Sequence, residues 1–334
     1  MMLKVIAPGL LTTIQDAGRN GYQDSGFSVS GCMDRRAMLE ANGLVNNDIN
    51  EAVLEMQYLG GTFRFEGETY FALTGADMAP LLNGRTVPGY RAVKVHKGDI
   101  LECRRANNGR FAYLAVAGGF AIEPVLGSKS TNLKCGIGGF EGRALLAGDE
   151  LPMNCETTWL LNEYLKEAEA PVYKDKICLR VTAGPQEHKF TPKGLDDFYS
   201  REYLVTEQSD RMGYRMDGAP VESENGVDII SDGIVEGAIQ VTPGGMPMIL
   251  LADRQTTGGY AKIGTVIAAD IPSLVQCMPG AKVHFKKISL EQAVSLYRKE
   301  EKDRKKFLKS VGYCKENQGM FERKVNQWKG MQRK

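Results

Sequence analysis

The sequence predicts a mainly β protein made of two β-barrel domains, with few helices and a helical C-terminal tail. Three observations support this prediction. Glycine accounts for 38 of the 334 residues and falls mostly at the ends of short apolar runs, a spacing typical of short strands joined by turns. Many short strands at regular spacing favour barrels or sandwiches over a doubly wound sheet. A chain of 334 residues also favours two domains over one.

The chain divides into two β-rich halves separated by a charged stretch. The residues between Pro152 and Pro171 are charged and helix-prone, unlike the glycine-punctuated segments on either side, and this predicts a linker. From Arg298 to Lys334 there are 13 Lys and Arg against 5 Asp and Glu, a net charge of +8, which is typical of a solvated basic helix. We therefore predict an N-terminal β-barrel domain at 1–153, a linker at 154–176, a C-terminal β-barrel domain at 177–288 and a basic helical tail at 289–334.

Helical periodicity is confined to two regions. From Cys32 to Val45 the apolar residues recur at helical spacing, which predicts one amphipathic helix. Asp34 falls near its first turn, where a carboxylate meets the positive end of the helix dipole, and Ser30 is a candidate cap. Ser289 and Gln292 have the spacing of a capping box, which places the start of the second helix near residue 290.

Composition argues against several classes of protein. A net charge of +1 gives no electrostatic case for nucleic acid. The seven cysteines are scattered without a CxxC pair, which argues against a disulfide framework and a zinc site, and no His or carboxylate cluster has metal-ligand spacing. No run reaches the roughly 18 apolar residues of a membrane span, and the first residues lack the apolar stretch of a signal peptide. We therefore expect a cytoplasmic protein that binds no metal, no nucleic acid and no membrane.

A polar stretch separates two buried-looking runs in the C-terminal half. Between them we expect a loop across the mouth of the barrel, where glycines let backbone N–H groups approach a ligand. An arginine there offers a planar fork to a carboxylate, phosphate or ureido group. A structural loop that caps neighbouring strands is the alternative. Gln240 ends a nearby apolar strand and faces the same side if both strands run in the same direction. The residues of the stretch are Asp253, Arg254, Gln255, Thr256, Thr257, Gly258, Gly259 and Tyr260, followed by Lys262.

A second polar stretch, with the same character, lies in the N-terminal half. It places Gln15, Asp16 and Arg19 among glycines directly after a predicted strand. A carboxylate beside an arginine is also common as a structural pair, so a catalytic role competes with a structural one. Ser30 precedes the helix, where exposed N–H groups would suit an anion. Asp34 lies close enough to this stretch in sequence to meet it in space.

Seven stretches, in the same order along nearly the whole chain to about Ile288, resemble one family. They are TIQDAGRNGYQDSGFSVSGCMDRRAMLEANGLV, YFALTGADM, GRFAYLAVAGGF, VLGSKST, GGFEGRALLAGDEL, SDRMGYRMDG and DRQTTGGYAKIGTV. Together they are similar to the C component of the bacterial three-component 5-oxoprolinase, also known as KipA or allophanate hydrolase subunit 2. That family belongs with the carboxyltransferase domain of urea carboxylase. The resemblance implies two cyclophilin-like β-barrel domains. It also implies a complex with a KipI-like B component and with an A component, which cleaves 5-oxoproline (pyroglutamate) to glutamate with ATP.

The resemblance predicts a hydrolase that acts on a cyclic amide and is active only in the complex. The hydroxyl-rich turn Gly127–Thr131 lacks the GxxxxGK[ST] order of a P-loop. We therefore expect ATP to be used on a partner component, with no cofactor bound by this chain. The predicted catalytic residues are Asp16, Asp253 and Lys262, and the predicted substrate-binding residues are Gln15, Arg19, Ser30, Asp34, Gln240 and residues 254–260.

Two other functions remain open. As a component of a biotin-dependent carboxyltransferase for urea-like or amide substrates, the chain would need a separate biotin carrier, because it has no biotinyl-lysine motif. As a non-catalytic partner and regulator of the B component, it would bind that protein without chemistry of its own. The sequence leaves the stoichiometry open, a homo-oligomer included.

Overall fold

The structure, a computed structural model, describes residues 1–154 and 167–313. Part of the predicted linker, 155–166, and part of the predicted tail, 314–334, lie outside the described residues. The predicted mainly β fold with few helices is confirmed, and a helix follows the last strand as expected. The α-helices of the described residues are α1 Arg35–Leu44, α2 Pro192–Ser200, α3 Ile271–Val275 and α4 Leu290–Ser310.

The N-terminal half consists of two sheets that face each other across an apolar core. Its strands are β1 Met2–Ala7, β2 Leu11–Gln15, β3 Val53–Gln57, β4 Thr62–Phe65, β5 Thr69–Asp77, β6 Leu81–Leu82, β7 Arg85–Thr86, β8 Ala92–Val95, β9 Ile100–Glu102, β10 Asn108–Val116 and β11 Glu150–Pro152. One sheet has six strands in the order β11-β1-β4-β9-β6-β7, and the other has five in the order β2-β3-β10-β5-β8.

Burial along the strands shows which sheet faces are covered. In β4, Phe63 and Phe65 are fully buried and the alternate residues, Thr62 and Arg64, are partly exposed. This is the period of two expected of a strand with one covered face. β5 and β10 are instead buried along almost their whole length. Phe71 of β5 belongs to the core between the two sheets, whereas its neighbour Ala72 belongs to a core shared with α1 and the C-terminal half. The five-stranded sheet is therefore the layer on which the two halves of the protein meet.

The C-terminal half is a closed barrel of seven strands with a two-stranded ribbon beside it. Its strands are β12 Lys176–Ala183, β13 Glu202–Val205, β14 Gly213–Asp217, β15 Asp228–Gly233, β16 Ala238–Val241, β17 Pro247–Leu250, β18 Thr257–Tyr260, β19 Lys262–Val266 and β20 Lys282–Lys287. The barrel order is β12-β19-β16-β17-β14-β13-β20, and the parallel pairing of β12 with β20 closes the ring. β15 and β18 pair only with each other and form the ribbon.

The first helix begins later than the sequence predicts. Its N-cap is Asp34, whose Oδ1 accepts a hydrogen bond from the Ala37 N–H at 2.9 Å. The prediction that Ser30 caps this helix is wrong. The backbone of Ser30 is left-handed, with φ of 56°, and its hydroxyl accepts a hydrogen bond from Asn132 Nδ2 at 3.1 Å. A carboxylate at the N-cap satisfies a backbone donor that would otherwise be exposed at the helix end.

The second predicted helix begins where its capping box places it. Ser289 Oγ accepts from the Gln292 N–H at 3.3 Å, and Gln292 Oε1 accepts from the Ser289 N–H at 3.0 Å. The far end of α4 contacts α1 at Gly43, where an added Cβ would lie 2.9 Å from Leu308 Cδ2. Among the described residues, no helix is long and apolar enough to cross a membrane.

α1 carries a buried carboxylate beside a cavity of about 480 Å³ that lies between α1, α3 and α4. Glu40 is 7% exposed, and its Oε1 lies 3.0 Å from Arg36 Nε. Burial raises the pKa of Glu40 from 4.5 to about 7, because the interior replaces the water that would hydrate the charged form.

The raised pKa of Glu40 makes stability depend on pH. Below pH 4.5 Glu40 is neutral in both the folded and the unfolded state, and the folded state carries no penalty for a buried charge. As the pH rises through about 7, the folded state must bury a charged carboxylate, and the free energy of unfolding falls. The expected loss is about 3 kcal/mol. Glu40→Gln should therefore raise the free energy of unfolding in urea at pH 8, with little change at pH 4. Glu123→Gln, at an exposed position, is the control and should change neither. Equal effects of Glu40→Gln at the two pH values would contradict the assignment.

Candidate functional site

The two polar stretches that the sequence singles out meet where the halves join. Ser30 N–H donates to Ala252 O at 3.1 Å, and Ser28 Oγ donates to Arg254 O at 2.7 Å. Arg211 Nη2 donates to Gly31 O at 2.7 Å. We call this contact, residues 28–31 against Arg211 and 251–254, the seam. It brings the N-terminal stretch and Asp253 to one place, although they are more than 230 residues apart in sequence.

Asp16 organises the N-terminal side of the seam. Its carboxylate accepts four hydrogen bonds, all from nearby loops: Oδ1 from Gly18 N at 2.8 Å, Ser128 Oγ at 2.7 Å and Ser130 Oγ at 2.5 Å, and Oδ2 from Lys129 N at 2.6 Å. The side chain is 9% exposed. The hydroxyl-rich turn that superficially resembles a phosphate loop therefore binds an internal carboxylate. This geometry leaves Asp16 little free acceptor capacity and argues against its predicted role in proton transfer.

Arg19 and Gln15 are fully buried beside the same turn. Arg19 donates from Nε to Val125 O at 3.0 Å and from Nη2 to Ser130 O at 2.9 Å. Its Nη1 has no hydrogen-bond partner among the described residues, and neither has Gln15 Oε1. Burial lowers the pKa of Arg19, against the opposite effect of Asp16, Cys135 and Asp253. A buried cation with an idle donor is uncommon, because an unmet polar atom in the interior is costly.

Arg211 connects the two halves through two carboxylates. On the C-terminal side its Nε and Nη2 lie 2.8 and 3.2 Å from Asp253 Oδ2 and Oδ1. On the N-terminal side its Nη1 contacts Glu55 Oε1. Burial lowers the pKa of Arg211, but the two neighbouring carboxylates outweigh burial and the net pKa is raised. The guanidinium suits this place because its planar fork meets both carboxylates at once, which an ammonium cannot do.

Glu55 and Tyr113, which complete this network, are functional candidates that the sequence analysis missed. Glu55 Oε2 accepts from Met33 N at 2.8 Å and from Tyr113 OH at 2.8 Å, and Tyr113 OH accepts from Asp34 N at 2.7 Å. Glu55 is the only charged residue of β3 and is 3% exposed. A single carboxylate in an otherwise uncharged, mostly apolar strand is the signal that could have found it, because buried carboxylates are nearly always paired.

The C-terminal polar stretch is not one loop, as the sequence predicts, but a turn at 253–256 followed by strand β18. Gly258 pairs with Asp232 of β15. The sequence predicts that Gln240 faces the polar stretch if its strand, β16, runs in the same direction as β17. The two strands are antiparallel, so that condition is not met. Gln240 nevertheless reaches this stretch, because β18 folds back beside it: its Nε2 donates to Tyr260 O at 3.2 Å, and a Cβ at Gly258 would lie 2.7 Å from that nitrogen. A larger residue at position 258 would have to displace the ends of the Gln240 and Ile234 side chains.

The other predicted residues of this stretch differ in accessibility. Arg254 is 8% exposed, and its Nε and Nη1 donate to the carbonyl oxygens of Ile234 and Leu251 at 3.3 and 3.1 Å. Burial also lowers the pKa of Arg254. The Thr256 carbonyl accepts from the Ile234 N–H at 3.0 Å. Gly259 is partly exposed, and Gln255, Thr257 and Tyr260 are exposed.

Lys262, a predicted catalytic residue, holds the ribbon. Its Nζ lies 2.5 Å from Asp232 Oδ2 and donates to Gly233 O at 2.9 Å, and the residue is 4% exposed. Lys262 is therefore committed to β15 and not open to a substrate in this structure.

Asp34, a predicted substrate-binding residue, is committed as well. Besides capping α1, it accepts from Gln276 Nε2 at 2.9 Å through Oδ2 and is 2% exposed. Gln276 Oε1 in turn accepts from Arg110 N and Phe111 N at 2.8 and 3.0 Å. Asp34 thus joins the halves, and its predicted role in substrate binding stays a prediction. Among the residues described, no group of three or more His, Cys, Asp or Glu is placed to hold a metal ion.

We expect removal of the Arg211 side chain to destabilise the folded protein strongly. Arg211→Met leaves two buried carboxylates without their cation and should lower the free energy of unfolding by about 3–5 kcal/mol, measured by urea denaturation at pH 8. Arg201→Met is the matched control, because the Arg201 side chain is 60% exposed and its partner Asp197 keeps a second cation, Lys193. This variant should cost less than about 1 kcal/mol. Similar losses in the two variants would rule out the bridging role.

We expect removal of the Lys262 side chain to loosen only the ribbon of β15 and β18. Lys262→Met should speed hydrogen exchange of the β15 and β18 amides about three- to tenfold while the barrel amides keep their protection, because the ion pair fastens only the ribbon. Lys286→Met, at an exposed position of β20, serves as the control. Unchanged ribbon exchange in the Lys262 variant would show that the ion pair does not hold the ribbon.

Comparisons with known proteins cover nearly the whole chain. The family model of the carboxyltransferase domain, subdomain A and B, matches residues 25–287. The C subunit of the 5-oxoprolinase of Escherichia coli (strain K12) is 37% identical, over 95% of this chain and 100% of that protein. The protein of the same name from Haemophilus influenzae is 36% identical, over 90% of this chain and 96% of its own length.

A solved structure has the same fold as this chain. The urea carboxylase of Kluyveromyces lactis superposes with a TM-score of 0.84 at 27% identity over 92% of this chain. The chain spans only 29% of that enzyme's length. The match in fold, the family model and the two full-length relatives agree with one another. The chain therefore belongs to the family of 5-oxoprolinase C subunits, within the carboxyltransferase domain family.

Proposed function

We propose that this chain is the C component of an ATP-dependent 5-oxoprolinase and that the seam is its substrate-binding site. The observation that carries the proposal is the 37% identity to a 5-oxoprolinase C subunit over the whole length of that relative. The relatives are named as subunits, so the chain acts with partners; we propose the A and B components of the enzyme. The reaction is the hydrolysis of 5-oxoproline to glutamate, coupled to ATP.

The chemistry divides between this chain and its partners. An unstrained lactam resists hydrolysis, so ATP is needed to activate its carbonyl oxygen as a phosphate ester. In this chain the turn Gly127–Thr131 has its hydroxyl and N–H donors on Asp16, which leaves no phosphate cradle there. We therefore place phosphorylation on a partner component. Attack of one water on the activated carbon expels the ring nitrogen, which takes up a proton, and leaves an acyl phosphate. A second water then displaces phosphate and gives glutamate.

Asp253 is the best placed of the three predicted catalytic residues. Its side chain is 16% exposed, and the side-chain donors on its carboxylate come from Arg211 alone among the described residues. Asp16 is held by four donors, and Lys262 is tied to the ribbon. A carboxylate of fixed orientation that retains free lone pairs can accept a proton from an attacking water. We assign that step to Asp253.

A second function is supported by a different observation. The TM-score of 0.84 to a urea carboxylase and the match to the carboxyltransferase family model favour a biotin-dependent carboxyl transfer. That reaction requires a separate biotin carrier to bring carboxybiotin to the seam. The first proposal ranks higher because its relatives match over their full length, whereas this chain is a minor part of the urea carboxylase.

The experiment that tests the proposal measures glutamate released from 5-oxoproline and ATP by this chain mixed with the A and B components, each protein omitted in turn. Activity should require all three. Asp253→Asn should lower kcat about 10²- to 10⁴-fold while the variant still co-elutes with its partners. The control is Asp196→Asn, at an exposed position of α2, which should retain full activity.

Absence of activity in the complete mixture, with all three chains folded, would reject the oxoprolinase proposal. Carboxyl transfer from a carboxylated biotin carrier to an amide or urea would then be the reaction to assay. Full activity of the Asp253 variant would reject the assignment of the base and leave the overall function standing.

A further inference from the structure

We propose that Arg19 binds the carboxylate group of the substrate, and this inference rests on the proposed function. 5-Oxoproline carries a carboxylate that plays no part in opening its ring. Whichever group recognises that carboxylate decides whether the site accepts an amino-acid-derived lactam or any small cyclic amide. The candidate is a cation beside the seam that is not already neutralised by hydrogen-bonded carboxylates.

Most cations around the seam are already paired. Arg211 contacts Asp253 and Glu55, and Lys129 Nζ lies 2.6 Å from Glu51 Oε1. Lys262 is fixed to the ribbon by an ion pair of 2.5 Å. Each of these cations would have to give up a protein carboxylate before it could bind an anionic ligand.

Arg19 differs from these cations in its partners. Its two side-chain hydrogen bonds within the described chain go to the carbonyl oxygens of Val125 and Ser130. These fix the guanidinium plane without neutralising its charge. The remaining terminal nitrogen, Nη1, is buried and has no acceptor among the described atoms. A fixed guanidinium with an idle N–H pair provides the geometry that a carboxylate oxygen requires.

Arg19 is also close to the proposed chemistry. Its backbone N–H donates to Val29 O at 2.6 Å, and the residues on either side of Val29 contact Ala252 and Arg254, which flank Asp253. A substrate held by its carboxylate at Arg19 would therefore present its ring toward the carboxylate that we assign as the base. Positioning by a remote charged group is a common way to orient a reacting carbonyl.

A glycine-rich turn covers the guanidinium. Gly138 lies against it with φ of 70°, and a Cβ there would sit 2.7 Å from Arg19 Nη2 and 2.1 Å from Ser130 O. Gly136 and Gly139 have left-handed backbones too. Binding of an anion at Nη1 therefore requires this turn to move away from the guanidinium.

The test compares two ligands in one complex: 5-oxoproline and its neutral carboxamide analogue, which keeps the ring and loses the charge. With the complete three-component complex, the KM for 5-oxoproline and the inhibition constant of the carboxamide are measured for wild type, Arg19→Lys and Arg19→Met. Arg19→Met should raise the KM about 10- to 150-fold, the factor expected for loss of a charge-assisted hydrogen bond, and leave the inhibition constant nearly unchanged. Arg19→Lys should fall between, because it retains the charge and loses the fork.

Arg254→Met is the comparison variant, since Arg254 likewise donates to carbonyl oxygens. The assignment of Arg19 would be overturned if the Arg19 variants lost affinity equally for 5-oxoproline and for the carboxamide. It would also be overturned if only the Arg254 variant lost affinity selectively for 5-oxoproline. The KM and the inhibition constant are measured on variants that retain activity. If Arg19→Met does not fold, Arg19→Lys still provides both values. An inactive wild-type complex would instead reject the proposed function.

Discussion

One buried guanidinium holds the molecule's two halves in register. Arg211 is 6% exposed and bridges Glu55 of the five-stranded sheet and Asp253 of the turn after β17. Because both carboxylates are largely desolvated, neither half can bury its own without the cation between them. The same network passes through Tyr113 to the start of α1. Helix, sheet and barrel are thus positioned around one charge, and the candidate site is formed from both halves.

Local sequence signals predict local structure well. The capping box at Ser289 and Gln292 depends on residues three apart, and the structure contains it. The sequence predicts that Ser30 caps the first helix, but the cap is Asp34. Ser30 is a good cap by residue type, but it has a left-handed backbone and its hydroxyl accepts a hydrogen bond from Asn132. Glu55 escapes prediction since its cation lies 156 residues away. Composition carries no information about such a pairing.

The sequence also identifies the right stretches for the candidate site while misjudging individual side chains. Asp16 and Lys262 have the chemistry of catalytic groups, yet neighbouring hydroxyls and a ribbon carboxylate occupy them. Residue type determines what a side chain can do; hydrogen-bond partners decide what remains available. Arg19 is the opposite case, because its environment leaves a donor idle. Asp253 lies between these extremes, fixed by one partner and still partly exposed.

The closure of the C-terminal barrel has a consequence for biosynthesis. Its first strand pairs in parallel with its last, Lys176 beside Lys282, so a loop of about 100 residues must close before the ring exists. On the ribosome the N-terminal half emerges first and must wait, with Glu55 lacking its cation, until Arg211 has been synthesised and the barrel assembled. The nascent chain therefore passes through a stage in which a sheet face meant for burial is bare. This makes the order of synthesis a source of aggregation risk that the finished fold conceals.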